Sequence, residues 1–425
     1  MPPISQFGGG VHVPCALQGS GITVTEGAFV AQVYSRAHSG GAWFQLFMKN
    51  KIALVGWPKS HSGIGAHLRM TESVFMHLGL EVAILDVMPV LRPNMRPDAD
   101  VDASGPSMEV HELQNFQTVV YCLNFDHLAM LDSQFFPDTV RKICFGYLEN
   151  DVLNSNQQKG AAKVDEVWAP TNFIRHVAES ALQQQVAHVV LPLSDLKFRG
   201  VHEETPPPFL STSKFNFLTT FDLRSLRLRK NPEGVISAFK AAFNNLRCNA
   251  HLLVKCFASG EDAQTVAARE ILSDACANSD EITLVEENMG QSQLSSLVFN
   301  ADCYVSLHRA EGLGLTIAEA MTYGKPVICT GYSGCLDFAD MSNALLVPYR
   351  LIPWGTESLK SGQDDALPLT GAWADPDLLA AQHLMIEVFS RTPRVLQVQK
   401  TANAHIMHKY SMESAASSFF RALKF

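Results

Sequence analysis

Ser306-Leu-His-Arg-Ala-Glu311-Gly-Leu-Gly-Leu315-Thr-Ile-Ala-Glu319-Ala-Met-Thr-Tyr-Gly324-Lys-Pro-Val-Ile-Cys-Thr330 reads as the end of a strand, a glycine loop, a helix from about Leu315, and a second strand. Short apolar runs alternating with helical stretches are the pattern of a parallel α/β sheet, whose neighbouring strands need a long crossover. A glycine loop entering a helix leaves backbone N–H groups without intrahelical partners and places the positive end of the peptide dipoles there, which suits a diphosphate. Two carboxylates at such a place, Glu311 at the mouth of the loop and Glu319 in the first turns of the helix, would repel phosphate. Each can instead accept hydrogen bonds from sugar hydroxyls. Taken singly, Glu311 could equally be a solvated loop charge and Glu319 a residue that favours a helix start.

The same rhythm extends in both directions. Lys51–Gly56, Glu81–Asp86, Thr118–Leu123, Lys142–Gly146, Glu166–Ala169 and Ala187–Leu191 are short apolar runs, with helical spacing from His67 to Leu80 between the first two. From Ser194 to Lys214 the chain turns polar and carries Pro206-Pro-Pro208, which resists both helix and central strand and marks a linker. A second series follows in Phe215–Phe221, His251–Lys255, Ile282–Val285, Cys303–Leu307 and Pro326–Cys329, with a helical stretch at Pro232–Phe243 and a helical tail from about Asp377. The expected fold is α/β, with two doubly wound Rossmann-like domains facing a cleft and a helical C-terminal tail. The expected divisions are an extension of unassigned role over 1–48, a first domain over 49–212, a second over 213–395, and a tail over 396–425 that packs back on the first domain.

Composition narrows the function. The 425 residues carry a formal net charge of −9 with Lys and Arg scattered, which argues against a nucleic-acid partner. The nine cysteines form no Cys-x-x-Cys pair and lie mostly in apolar runs, so they read as reduced core residues. No His/Cys/Asp cluster has zinc-like spacing and no Gly-x-Ser-x-Gly elbow occurs, so neither a metal site nor a serine nucleophile is expected. The N-terminus lacks the basic start and apolar core of a secretory signal, and no segment approaches the length of a membrane span. A cytoplasmic protein is expected, with peripheral contact at an inner membrane left open.

The segment around Glu311 closely resembles the donor-site signature of the retaining glycosyltransferases of family 4, which have the GT-B architecture. Upstream, Phe221-Asp-Leu-Arg-Ser225-Leu-Arg-Leu-Arg229-Lys230-Asn-Pro232 looks like the strand, loop and helix that carry the diphosphate-binding lysine of that family, and Lys230 is the matching position. Many members have an arginine about five residues before that lysine, where this chain has Ser225, with Arg224 and Arg229 nearby. Downstream, Thr330–Phe338, Asn343–Tyr349 and Gly371–Asp377 are similar to the next segments of the same group. The resemblance implies that Glu311 holds the sugar hydroxyls and Glu319 the ribose. It further implies that Lys230, a nearby arginine and the amides of Gly312, Leu313, Gly314 and Leu315 stabilise the leaving diphosphate. Ser225, Arg229 and Thr316 join the donor-binding set. His308 and Arg309, just before Glu311, could reach the donor or brace the loop.

In the first half, Gly63 and Gly65 follow the first strand and resemble the Gly-rich loop over the donor phosphates, near the acceptor. Asp126 and His127 follow a later strand and are acceptor-side candidates. Gly146-Tyr-Leu-Glu149-Asn-Asp151 also looks like family sequence, although close relatives carry Trp-Glu after Gly-Tyr where this chain has Asn150-Asp151. Trp168 reads as a packing residue rather than a sugar platform. The resemblance implies transfer of a hexose-type sugar from a nucleoside-diphosphate sugar to a saccharide or lipid-linked saccharide acceptor, with retention and no cofactor. It suggests a role in polysaccharide or glycolipid biosynthesis, with domain closure hinged near Pro206. A GT-B sugar phosphorylase or epimerase, or an inactive GT-B-like scaffold, are the competing readings.

Overall fold

The computed structural model describes residues 51–93, 97–98, 101, 105–198, 207–223, 227–243, 249–257, 263–277, 279–354 and 371–423. Six parallel strands form the first sheet: β1 (Lys51–Gly56), β2 (Glu81–Asp86), β3 (Thr118–Tyr121), β4 (Arg141–Phe145), β5 (Glu166–Ala169) and β6 (Gln185–His188), in the order β2-β1-β3-β4-β5-β6. The second sheet contains β7 (Phe215–Asp222), β8 (Ala250–Phe257), β9 (Ile282–Val285), β10 (Cys303–Ser306), β11 (Val327–Thr330) and β12 (Leu345–Val347), in the order β12-β11-β10-β7-β8-β9. An antiparallel ribbon of β13 (Tyr349–Pro353) and β14 (Ala372–Pro376) adjoins it in sequence. β1 and β8 are buried along nearly their whole length, as helices cover each side of a parallel sheet.

Eight helices matter for the site: α1 (Gly63–His77), α2 (Asn172–Ala181), α3 (Pro232–Phe243), α4 (Gln291–Asn300), α5 (Leu315–Thr322), α6 (Leu378–Phe389), α7 (Pro393–Lys409) and α8 (Met412–Leu423). Their starts are written locally. Asp377 caps α6 by accepting from Leu379 N and Ala380 N at 2.9 and 3.1 Å, and Thr392 caps α7 ahead of Pro393, whose missing N–H is harmless in a first turn.

The α/β expectation with paired Rossmann-like units and a helical tail is borne out. Two local readings shift: the first helix begins at Gly63 rather than His67, and the last strand of the first sheet is Gln185–His188 rather than Ala187–Leu191. Polar Ser62 accounts for the former, because its hydroxyl accepts from Gly65 N and starts the helix inside the glycine loop. The ribbon β13–β14 was not among the expected strands. Pro206, the expected hinge, lies outside the described residues.

The tail crosses between the two cores. Val395 and Val398 near the start of α7 pack with the second sheet's core, and Ala402 and Ile406 further along join an apolar cluster that runs through both domains. On α8, Phe419 sits edge-on to Phe75, Phe145 and Trp168 with ring centroids 5.2, 5.6 and 5.5 Å away. Trp168 is therefore a core residue, fully buried, with its indole N–H donating to Glu166 Oε1 at 3.1 Å. Arg141 closes the end of the tail: it pairs with Glu166 at 2.6 Å and donates to the carbonyls of Leu423 and Ala422 at 2.9 and 3.0 Å. Those carbonyls lack partners within α8, so a cation there is favourable. We expect Phe419→Ala to remove about 3–5 kcal/mol of packing and to lower the first thermal unfolding transition, read by circular dichroism. A midpoint matching wild type would show that α8 does not hold the first core.

Candidate functional site

In the second sheet the chain order reverses between β7 and β10, which are neighbours. Loops leaving two such strands diverge and open a crevice at their carboxyl ends, the usual ligand position in open α/β sheets. Lys230 follows β7 and Glu311 follows β10, and the two side chains form an ion pair. Arg229 joins them, with Nη1 3.2 Å from Glu311 Oε1 and donating to Ala310 O at 2.9 Å. Its Nη2 lies 3.0 Å from Glu149 Oε1, which comes from the loop after β4 in the first sheet's domain. Glu311 and Arg229 are buried, at 6% and 3% exposure.

Burial works against the charge on Glu311 and the two cations outweigh it, holding its carboxyl below its ordinary 4.5 at about 2. Replacing either cation would leave a buried charge short of a partner, which is the costly situation.

The backbone keeps these groups in register. Arg309 N donates to Arg229 O at 2.7 Å and its guanidinium Nη1 to Leu228 O at 2.6 Å, which ties the Lys230 segment to the Glu311 loop. Asn231, at φ 54°, donates from Nδ2 to Leu307 O at 2.9 Å. Ser333, at φ 69°, accepts from Glu311 N at 2.8 Å, and Gly334 N donates to Glu311 O at 2.9 Å. His308 is fully buried between Ser306 Oγ at 3.0 Å and Tyr332 O at 3.2 Å. Burial pushes its pKa down to about 4, with Glu311 opposing, so it is a neutral imidazole at pH 7. Of the two roles open for His308 and Arg309, bracing the loop is the one these contacts carry. Arg309 also lies 5.6 Å over the Trp373 ring.

Gly314 precedes α5 at φ 89°, a left-handed conformation that other residues adopt only with strain. Thr316 lies in the first turn of α5, and the hydroxyl of Tyr304 on β10 meets Thr220 Oγ1 at 3.2 Å. Glu319, one turn on, accepts from Ser295 Oγ of α4 at 2.5 Å.

The first domain presents its glycine loop to this face. A Cβ placed on Gly63 would lie 3.8 Å from Leu315 Cδ1, and one on Gly65 would collide with the Ser60 carbonyl oxygen, so the tight turn needs glycine there. Gly312 packs against Tyr147 and Leu148. Thr171, the N-cap of α2, donates its hydroxyl to Gly312 O at 3.1 Å, and Asp337 accepts from Asn172 N at 2.9 and 3.0 Å. His127 is buried with its ring 4.8 Å from Trp57, and its Nδ1 has no hydrogen-bond partner. Asp126 is turned elsewhere, accepting from Gln157 Nε2 at 3.1 Å. Asp151 accepts from Ala372 N at 2.9 and 3.0 Å, so it ties the first domain to the ribbon. Ser225 and Arg224 lie outside the described residues.

Glu149, Thr171, Ser295, Ser333 and Asp337 were not among the sequence candidates. Glu149 was visible as an acid in a strand-following loop, and Ser333 as the polar residue of Tyr-Ser-Gly. Nothing local marked Ser295. Among the described residues, no group of three or more His, Cys, Asp or Glu is placed to hold a metal ion, and no helix is long and apolar enough to cross a membrane.

Two Rossmann-like domains meeting over loops from the carboxyl ends of both sheets, with a tail that recrosses, define the GT-B class. Residues 216–350 match the family model described as glycosyl transferases group 1. No curated protein matches the sequence. Among solved structures, sucrose-phosphate synthase from Thermosynechococcus elongatus is similar with TM-score 0.60 at 13% identity, covering 88% of this chain and 98% of that one. HepE of Anabaena in complex with UDP and glucose is similar with TM-score 0.63 at 10% identity, covering 88% and 99%. A UDP-forming α,α-trehalose-phosphate synthase from Burkholderia xenovorans gives TM-score 0.61 at 8% identity, covering 88% and 99%. At these identities the likeness is one of fold.

The depressed pKa of Glu311 sets a pH signature. A carboxyl whose folded value lies below its unfolded value adds stability above the unfolded pKa, and that stability is lost as pH falls through the folded one. The urea-midpoint gap between wild type and Glu311→Gln should therefore be full at pH 7 and narrow steadily from about pH 4.5 towards about pH 2. A gap independent of pH over that window would show that Glu311 is not held ionised by Lys230 and Arg229.

Proposed function

We propose that the protein is a retaining glycosyltransferase that moves a hexose-type sugar from a nucleoside-diphosphate sugar to an acceptor hydroxyl. The observation that carries this reading is the meeting of Lys230 and Glu311 from the two loops at the switch point of the second sheet. A nucleoside-diphosphate sugar presents negative charge at the diphosphate and hydroxyls on the sugar. A lysine beside a buried carboxylate answers both, once the ammonium exchanges Glu311 for a phosphate oxygen.

As the glycosidic bond breaks, charge builds on the leaving diphosphate, and fixed donors aimed there stabilise the transition state. Lys230 supplies a point charge, and the amides of Gly312 to Leu315 at the start of α5 supply the dipole end. Arg229 is the second cation of the cluster, and its bonds to Ala310 O and Glu311 suit it to hold the carboxylate in place. Glu311 accepts from sugar hydroxyls and Glu319 from the ribose. Retention by front-face displacement, with a donor phosphate oxygen taking the acceptor's proton, needs no protein nucleophile. Gly63 faces Leu315 across the cleft, and Gly65 forms the tight turn beside it, which supports a place for the first domain's loop over the phosphates and next to the acceptor.

UDP-glucose is the first donor to try, because the HepE structure is a complex with UDP and glucose. Saccharide and lipid-linked saccharide acceptors belong in the same screen. Incubation with radiolabelled UDP- and GDP-sugars should give labelled product without added inorganic phosphate, and Glu311→Gln should lower the rate by about 100-fold or more. The buried pairing of Glu311 makes Gln a better probe than Ala, since it keeps the volume and a hydrogen-bond acceptor beside the two cations. Wild-type turnover by folded Glu311→Gln would remove Glu311 from the donor site, and a strict need for free phosphate would favour a phosphorylase.

A further inference from the structure

We infer that Ser295, backed by Gln291, is a positioning residue that fixes the Glu319 carboxylate for recognition of the donor's ribose. The inference rests on the donor-site reading of Glu319 given above. Ser295 lies on α4 and Glu319 on α5, so the contact joins two packed helices of the second domain, one of which opens from the glycine loop. Both are buried, with Ser295 at 0% and Glu319 at 6% exposure. Ser295 Oγ lies 2.5 Å from Glu319 Oε1, and Gln291 Nε2 lies 3.2 Å from Ser295 Oγ.

The chemistry gives this chain a direction. The Ser295 hydroxyl has one proton to give, and it donates it to Glu319 Oε1. The amide of Gln291 then donates to the serine oxygen, which holds the hydroxyl rotor and keeps its proton aimed at the carboxylate. Hydrogen bonds to a charged group are the short and strong ones, and 2.5 Å falls at the short end of the O–H···O⁻ range. A carboxylate fixed in this way is oriented before a ligand arrives, so less ordering cost opposes binding. A simple helix-to-helix packing contact would look alike in the structure and differ in one respect. It would affect every ligand equally, whereas a positioning role is read through the ribose hydroxyls alone.

The test is isothermal titration of the full chain with UDP, GDP and ADP and with the 2′-deoxy and 3′-deoxy forms of whichever binds. Wild type should prefer the ribonucleotide, and Ser295→Ala should lower that affinity about tenfold, as expected for a hydrogen bond to a charged group. The more strongly discriminated deoxy form should change less than about twofold, so the preference collapses. Adding Ser295→Ala to Glu319→Gln should have no further effect on the preference. Equal losses for ribo and deoxy forms, or no loss, would overturn the inference while leaving the donor site standing. Should Ser295→Ala fail to fold, Gln291→Ala decides: a preference lowered about threefold supports the relay and an unchanged one overturns it. Wild type binding none of these diphosphates would instead overturn the donor-site reading itself.

Discussion

Glu311 is a buried carboxylate held ionised between Lys230 and Arg229, and much of the second domain's carboxyl edge exists to make that arrangement tolerable. A charge this far from water needs partners of opposite sign and satisfied hydrogen bonds. The cations come from the end of β7 and the acid from the end of β10, so only the reversal of strand order brings them together. The backbone on either side is then pinned by Arg309, Asn231 and Ser333, two of which occupy left-handed φ values. Unusual backbone angles kept at one loop cluster are a feature of functional sites, where surrounding contacts hold what local preference would not.

The same cluster couples the two domains. Arg229 touches Glu311 with one nitrogen and Glu149 of the first domain with the other. Thr171, Asp151 and Asp337 add polar ties around it, each between a backbone group on one side and a side chain on the other. Such ties are directional and can be exchanged one at a time, unlike a large apolar interface.

Much of this fold was legible because parallel strands buried on both faces appear as continuous apolar runs, as in Lys51–Gly56 and Cys303–Ser306. Glu311 and Lys230 were legible through a motif in which glycines, acids and a helix start occur at fixed spacing. The pairing of Glu149 with Arg229 was not, since an acid in a loop carries no mark of its partner until β4 and β7 are placed in space. Ser295 was hidden for the same reason, as its meaning lies in a residue 24 positions away on another helix. His308 stood in a telling position, and only its place in space shows the hydrogen bonds to Ser306 and Tyr332 that hold it against the loop. The β13–β14 ribbon escaped because Tyr349–Pro353 is mostly exposed and lacks the apolar alternation that marks a half-buried strand.

The central claim is that Lys230 is the cation a donor diphosphate meets. Titration of nucleoside diphosphates into wild type and Lys230→Met, with the corresponding nucleosides as controls, tests it most directly. Wild type should bind the diphosphate far more tightly than the nucleoside, and Lys230→Met should lower diphosphate affinity by about tenfold or more while nucleoside affinity stays put. Equal affinity of wild type and folded Lys230→Met for the diphosphate would contradict it.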